Sequence, residues 1–140
     1  MKIFQKKKKS FTMVELIMAV FILGVGLLGI ATFYAYSFKI AKMAQSETTA
    51  SNLASGILDE QLSNSYDNLA VSSGSKVPYS TVVGNPFTNY QKQIAISCID
   101  ANLIDTACAN AHMKKVVVTV YWMDNTTERS FQIASIKAEH

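Results

Sequence analysis

The sequence is poor in the residues that most chemistry needs. It has two histidines, two cysteines and one tryptophan among 140 residues. It has no H-E-x-x-H, no glycine-rich phosphate loop and no nucleophile set beside a base. Cys98 and Cys108 lack C-x-x-C spacing, which removes the common metal and redox motifs. His112 has no second histidine or cysteine at ligand spacing and His140 is terminal, so a solvated or loop histidine is the reading for both. Asp100 and Asp105 flank a loop and would suit calcium only with backbone oxygens in support. Ser73-Gly74-Ser75-Lys76 satisfies S-x-x-K in form, but the companion motifs of that chemistry are missing. These absences point to a non-enzymatic chain with no catalytic residue, no metal and no cofactor.

Charge is unevenly placed. The formal net charge is +3, yet Lys2, Lys6, Lys7, Lys8 and Lys9 all precede Phe11. The remaining eight basic residues face ten acidic ones, a balance of −2. Lys92, Lys114, Lys115 and Arg129 would make a modest basic patch, which does not by itself support a nucleic-acid partner. The tetralysine sits beside an apolar run and reads as a topology signal. It holds the N-terminus in the cytoplasm and sends the rest outward.

No formal charge occurs from Leu16 to Phe38. As a helix that run would extend about 34 Å, enough to cross a bilayer. It is too long for a cleaved secretory signal and lacks a small-residue exit site. Tyr34 and Tyr36 suit the outer interface, with Lys39 and Lys42 opening the aqueous side. Gly24, Gly26 and Gly29 interrupt the run without four-residue spacing, so a close-packed dimer face is not the natural reading. Two readings stand for them: a place where the helix loosens when its surroundings change, or the ordinary glycine content of membrane helices. Glu15 is the odd residue. It lies at the mouth of the run, where an ionised group is costly, and it needs either a helix end or a cation.

Ser10-Phe11-Thr12-Met13-Val14-Glu15-Leu16, after lysines and before an apolar run with glycines, resembles the class III signal of type IV pilins and pseudopilins. The resemblance implies cutting by a prepilin peptidase between Ser10 and Phe11, with N-methylation of Phe11. It implies that Glu15 pairs with the N-terminal amine of a neighbouring subunit during assembly. The family usually has glycine before the cut, where this chain has Ser10. The family's helix-kinking proline is also absent, and Thr32 lies near its place. Val25-Gly26-Leu27-Leu28-Gly29-Ile30-Ala31 and the late valine-rich hairpin are more similar to PilV-type minor pilins, and next to GspI-type pseudopilins, than to a major pilin. The implied partners are the peptidase, other pilin or pseudopilin subunits, the assembly platform and the inner membrane.

The rest of the chain supports an α+β fold. Ala50, Leu53, Ala54, Ile57 and Leu58 follow helical spacing and form one apolar stripe. Turn residues end that helix near Asn64. Ser72 to Lys76 reads as a flexible polar loop. Tyr79–Val83, Tyr90–Cys98, Lys114–Trp122 and Glu128–Ile136 read as strands, the last two joined through Met123–Thr127. Asn125-Thr126-Thr127 fits a glycosylation sequon, but the bacterial resemblance favours a plain turn. The expected organisation is a leader over 1–10, a membrane and assembly segment over 11–38, and a soluble headgroup over 39–140. In it, helix 39–64 packs on an antiparallel sheet of three or four strands over about 79–138. Both cysteines fall on the outer side. Their even count there favours a disulfide, the alternative being two reduced thiols.

Overall fold

The computed structural model describes residues 12–139. The lysine cluster and the Ser10–Phe11 junction lie outside the described residues.

A single helix, α1, runs Met13–Ser63 over 51 residues. It starts where the sequence supplies a cap. The hydroxyl of Thr12 accepts the backbone N–H of Glu15 at 3.3 Å, and the Thr12 carbonyl accepts the N–H of Leu16 at 3.2 Å. Thr12 and Glu15 thus hold the first and last places of a T-x-x-E pattern, in which the cap residue satisfies an otherwise orphaned amide. The carboxylate in the first turn also suits the positive end of the helix dipole.

The chain divides into two compact units, one ending at Ala41 and one beginning at Lys42. In the first unit, every large apolar side chain from Met13 to Phe38 is exposed. This part of α1 is long and apolar enough to cross a membrane. It has no polar face to turn outward, which sets it apart from a helix that lies on a soluble core.

The second unit holds the rest of α1 and a four-stranded antiparallel sheet. Its strands are β1 (Val77–Pro78), β2 (Tyr90–Ile99), β3 (Met113–Asp124) and β4 (Thr127–Ala138), in the spatial order β1-β2-β3-β4. The buried residues of α1 are Ala50, Leu53, Ala54, Ile57 and Leu58, the stripe that helical spacing selects. They share a core with Leu69, Ile96, Val116, Val118, Val120 and Trp122. Strand alternation explains the sheet's side of that core. Val118 stands between Ile94 of β2 and Ile133 of β4, and Val116 faces Ile96. Successive residues of a strand point to opposite faces, so the valines at even positions all reach the core together. Full burial of a side chain of this size stabilises by about 1.5–3 kcal/mol.

The first strand differs from the expectation. Sequence alternation places it at Tyr79–Val83, whereas β1 is Val77–Pro78, paired with Lys92 and Gln91. The N–H of Tyr79 still donates to the Tyr90 carbonyl at 2.8 Å. The chain then leaves the sheet. Ser80 Oγ accepts the N–H of Val82 at 3.2 Å, and Asn85 Oδ1 accepts the N–H of Phe87 at 2.8 Å. These local side-chain bonds compete with the ladder and win.

The stretch before β1 is also more ordered than its composition suggests. Ser72 exchanges two backbone hydrogen bonds with Ile96, at 3.0 and 2.7 Å. Gly74 has φ +69°, and a Cβ added there would lie 2.2 Å from the carbonyl oxygen of Ile94. Only glycine fits such a close approach at positive φ. Ser72 to Pro78 therefore forms a strap along the edge of β2.

Between β2 and β3 the Cys98–Cys108 disulfide closes a loop with a sequence separation of 10. Thr106 N–H donates to the Cys98 carbonyl at 2.8 Å, and Ile99 bridges Asp105. At the other end of β3, Asn125 and Thr126 turn the chain into β4, with Asn125 at φ +57°. Asparagine tolerates that conformation better than most residues.

Candidate functional site

The candidate site is the start of α1. Thr12 fixes the first turn, and Glu15 stands three residues into it with an exposed side chain. Among the described residues no side chain donates to the Glu15 carboxylate. Beyond it stretches the exposed apolar helix. An ionised group there is stabilised on one side by the helix dipole and penalised on the other by any apolar surroundings. A cation that arrived beside it would compete with no donor among the described residues.

Gly24, Gly26 and Gly29 lie within unbroken helix, and a methyl group at any of them would meet nothing within 4 Å. No packing demand among the described residues accounts for them. The hydroxyl of Thr32 donates to the Gly29 carbonyl at 2.8 Å. Such back-bonding slightly weakens and bends a helix.

The other residues singled out by the sequence do not form a site. The His112 ring lies 2.9 Å from the Glu139 carboxylate at the surface. Asp100 accepts the backbone N–H groups of Asn102 and Ile104, each at 2.9 Å. The Ile104 amide, first, and those of its own loop hold the Asp100 carboxyl below its ordinary value. Asp105 accepts from Ser97 at 2.8 Å and from Lys115 at 3.2 Å. The Ser97 hydroxyl and then Lys115 hold its carboxyl down as well. Both carboxylates serve loop structure, and among the described residues no three metal-ligating side chains come together. Lys76 is held by Glu128 at 2.9 Å and lies 3.8 Å over the Tyr121 ring, so the S-x-x-K resemblance has no structural support.

The basic patch dissolves. Lys114 is buried and donates to the carbonyls of Tyr66 and Leu69 at 2.8 and 2.9 Å. Lys115 points to the opposite face and pairs with Asp105. Arg129 lies 3.7 Å from Asp124.

The structural roles of Lys114 and Lys137 do not follow from the sequence pattern alone. Lys114 ties the chain after α1 to the sheet, with its ammonium 4.2 Å from the Tyr66 ring. Burial, then Glu139 and Asp67, raise the Tyr66 hydroxyl above its ordinary value. Lys137 donates to the carbonyls of Leu62 and Asn64, at the end of α1. A cation there satisfies the last orphan carbonyls and suits the negative end of the dipole. For Lys114 a signal was present: it is in phase with Val116, Val118 and Val120, which places it on the inward face.

Residues 5–31 match the family model described as the prokaryotic N-terminal methylation motif. The chain carries a type IV pilin-like class III signal. The comparisons with curated proteins and with solved structures give no match. The matched region contains Glu15, Thr12 and all three glycines of the span. The motif supports a pilin-like or pseudopilin substrate, and it implies processing by a prepilin peptidase and assembly with other pilin subunits. The motif and the apolar helix that it overlaps fit a protein anchored in the inner membrane. Proteins of this motif family are structural.

Proposed function

We propose that the chain is a minor pilin or pseudopilin subunit, closest in character to PilV-type minor pilins. A prepilin peptidase hydrolyses the Ser10–Phe11 peptide bond on the cytoplasmic side. That removes Met1 to Ser10 with its lysines and frees the Phe11 amine, which is then methylated. Residues 11–38 hold the subunit in the inner membrane and later form its assembly helix. Residues 39–140 form the headgroup on the outer side. The reading rests on one observation: a capped helix start that sets Glu15 at the head of an exposed apolar helix, within the methylation motif.

The mechanism follows from electrostatics. Until the cut, the Phe11 nitrogen is an uncharged peptide amide, and Glu15 carries the cost of an apolar setting. After the cut, the Phe11 amine of a neighbouring subunit supplies the missing charge. Two unit charges 4 Å apart attract by about 4 kcal/mol at an effective dielectric constant near 20. That is enough to favour one axial register between two otherwise featureless apolar helices. Gly24, Gly26 and Gly29 let the helix adjust as it passes from lipid to filament. As a minor subunit the protein primes assembly or joins a tip complex with other minor pilins.

Glu15→Val separates processing from assembly. It leaves the cut before Phe11 intact, and it lowers recovery of the protein in sheared filaments by at least about tenfold, the loss of a 1.4 kcal/mol preference. Wild-type recovery of Glu15→Val would contradict the pairing role.

A further inference from the structure

One end of the headgroup sheet carries apolar side chains that serve nothing within the fold. Tyr90, the first residue of β2, pairs with Trp122 near the end of β3. The Tyr90 hydroxyl donates to the Ser46 carbonyl of α1 at 3.4 Å, so this end of the sheet lies beside Ser46. The loop from Tyr79 to Asn89 and the turn at Asn125 both leave the sheet here. Asn85 N–H donates to the Val82 carbonyl at 3.1 Å, and Gly84 has φ +89°. That is a tight turn with glycine at its third position and Val83 at its apex. Val83 is 98% exposed and Val82 65%, and Met123, beside the other turn, is 58% exposed.

The charges at this end are lopsided. Lys42 lines a groove with Phe87 and Tyr90, and Lys92 is in β2 two residues after Tyr90. Among the described residues neither forms an ion pair. The carboxylates of Asp124 and Glu128 are balanced by Arg129 and Lys76. Glu47, on α1, is the other acidic group close in sequence to Ser46. Asp67, Asp100, Asp105 and Glu139 belong with the opposite end, around the disulfide loop and the start of β3.

Chain length limits how far this end can stray. Ser46 follows Phe38, the last residue of the uncharged run, by eight residues. Eight residues extend about 12 Å as helix and at most about 29 Å in any conformation. A membrane that holds the run therefore lies within about 29 Å of Ser46, the residue beside this end of the sheet.

We propose that this end of the headgroup rests on an anionic lipid surface before assembly, with Val82, Val83 and Met123 entering the headgroup layer and Lys42 and Lys92 meeting lipid phosphates. A narrow turn with two valines is far smaller than the roughly 800 Å² per partner of a stable protein interface. It suits shallow insertion, where cations and apolar tips act together. The contact holds the waiting subunit in a fixed orientation. The inference depends on the membrane anchoring proposed above.

The test uses the full chain in vesicles of phosphatidylglycerol and phosphatidylethanolamine. Single nitroxide labels go on Val83→Cys, on Leu103→Cys in the disulfide loop, and on Ile22→Cys in the span. Accessibility to a water-soluble nickel chelate and to oxygen is then read at each. The expected result is a lipid reading at 22, and at 83 a nickel accessibility at least threefold below that at 103. That difference shrinks in phosphatidylcholine vesicles. Equal accessibility at 83 and 103, with 22 in lipid, overturns the inference and leaves the anchoring intact. A water reading at 22 overturns the anchoring and the inference together. A contact at 83 that is equal in both vesicle types overturns the anionic selectivity. If 83 stays in water while Val83→Asp blocks filament incorporation, the turn is a subunit contact and the lipid assignment is overturned.

Discussion

Residues 13–41 and 42–63 of α1 share one secondary structure and differ in everything else. The first stretch exposes Leu16, Phe21, Ile22, Leu23, Leu28 and Phe33 alike, on all sides of the helix. The second hides Ala50, Leu53, Ala54, Ile57 and Leu58 on one side and leaves Glu47, Asp59 and Glu60 in water. Helicity is common to both and decides neither. What differs is how apolar residues are spread around the axis. A stripe buries itself against one partner within the chain, and a full apolar ring requires a surrounding medium. The carboxylates differ in the same way. Glu47, Asp59 and Glu60 are solvated. Glu15 stands at the head of the ring, in the first turn of the helix, where the positive end of the dipole suits it.

Acidic substitutions break this comparison most sharply. Val118→Asp places an unpaired charge at a core site with 0% exposure. It should cost the headgroup about 3–5 kcal/mol, seen as loss of the cooperative melt of the full chain in detergent. Ile22→Asp should leave that melt unchanged and reduce the membrane-bound fraction. If the two substitutions had the same effect on the melt, the halves would not be independent.

Loss of the disulfide comes next. Cys98→Ser opens a loop with a sequence separation of 10. The chain-entropy model puts the cost at roughly 2–3 kcal/mol, read as a lower melting temperature under non-reducing conditions. Reductant should lower the wild-type melt by the same amount and leave the Cys98→Ser melt unmoved.

The smallest effect is that of pH. Asp100 and Asp105 have folded-state values below the ordinary carboxylate range. Their contribution is therefore present above the unfolded-state value, near pH 4, and is lost as pH falls through the lowered folded values. The headgroup melt should fall as pH drops below 4. Asp105→Asn should flatten that slope, since it removes one of the two carboxylates. An unchanged slope would mean that the bonds from Ser97 and Lys115 do not matter to stability.

Much of this architecture is legible in the sequence because it follows short periods. The helix stripe from Ala50 to Leu58 and the valine alternation of β3 each need only a window of about ten residues. What escapes notice depends on distant chain. Ser72 to Pro78 looks like a loose polar loop until β2 presents a free edge to it. Gly74 then becomes necessary, because the Ile94 carbonyl leaves no room for a side chain. Tyr79 to Val83 has strand-like residues, but Ser80 and Asn85 satisfy the backbone locally and end the pairing. Lys137 looks like a surface cation until the last carbonyls of α1 come into its reach. Lys114 and Lys115 look like one patch until the pleat sends them to opposite faces. At the candidate site, Glu15 stands out in the sequence, and the Thr12 cap appears with the structure. The partner for the Glu15 charge does not, since the proposed pairing is with another subunit.

In the proposed assembly that partner is the Phe11 amine, freed by a cut after Ser10. The most direct test is the N-terminus of the mature protein, taken from the membrane or filament fraction and read by mass spectrometry. The predicted result is a chain that begins at N-methylated Phe11. A mature chain that still begins at Met1 would contradict it, leaving Glu15 with no amine to meet.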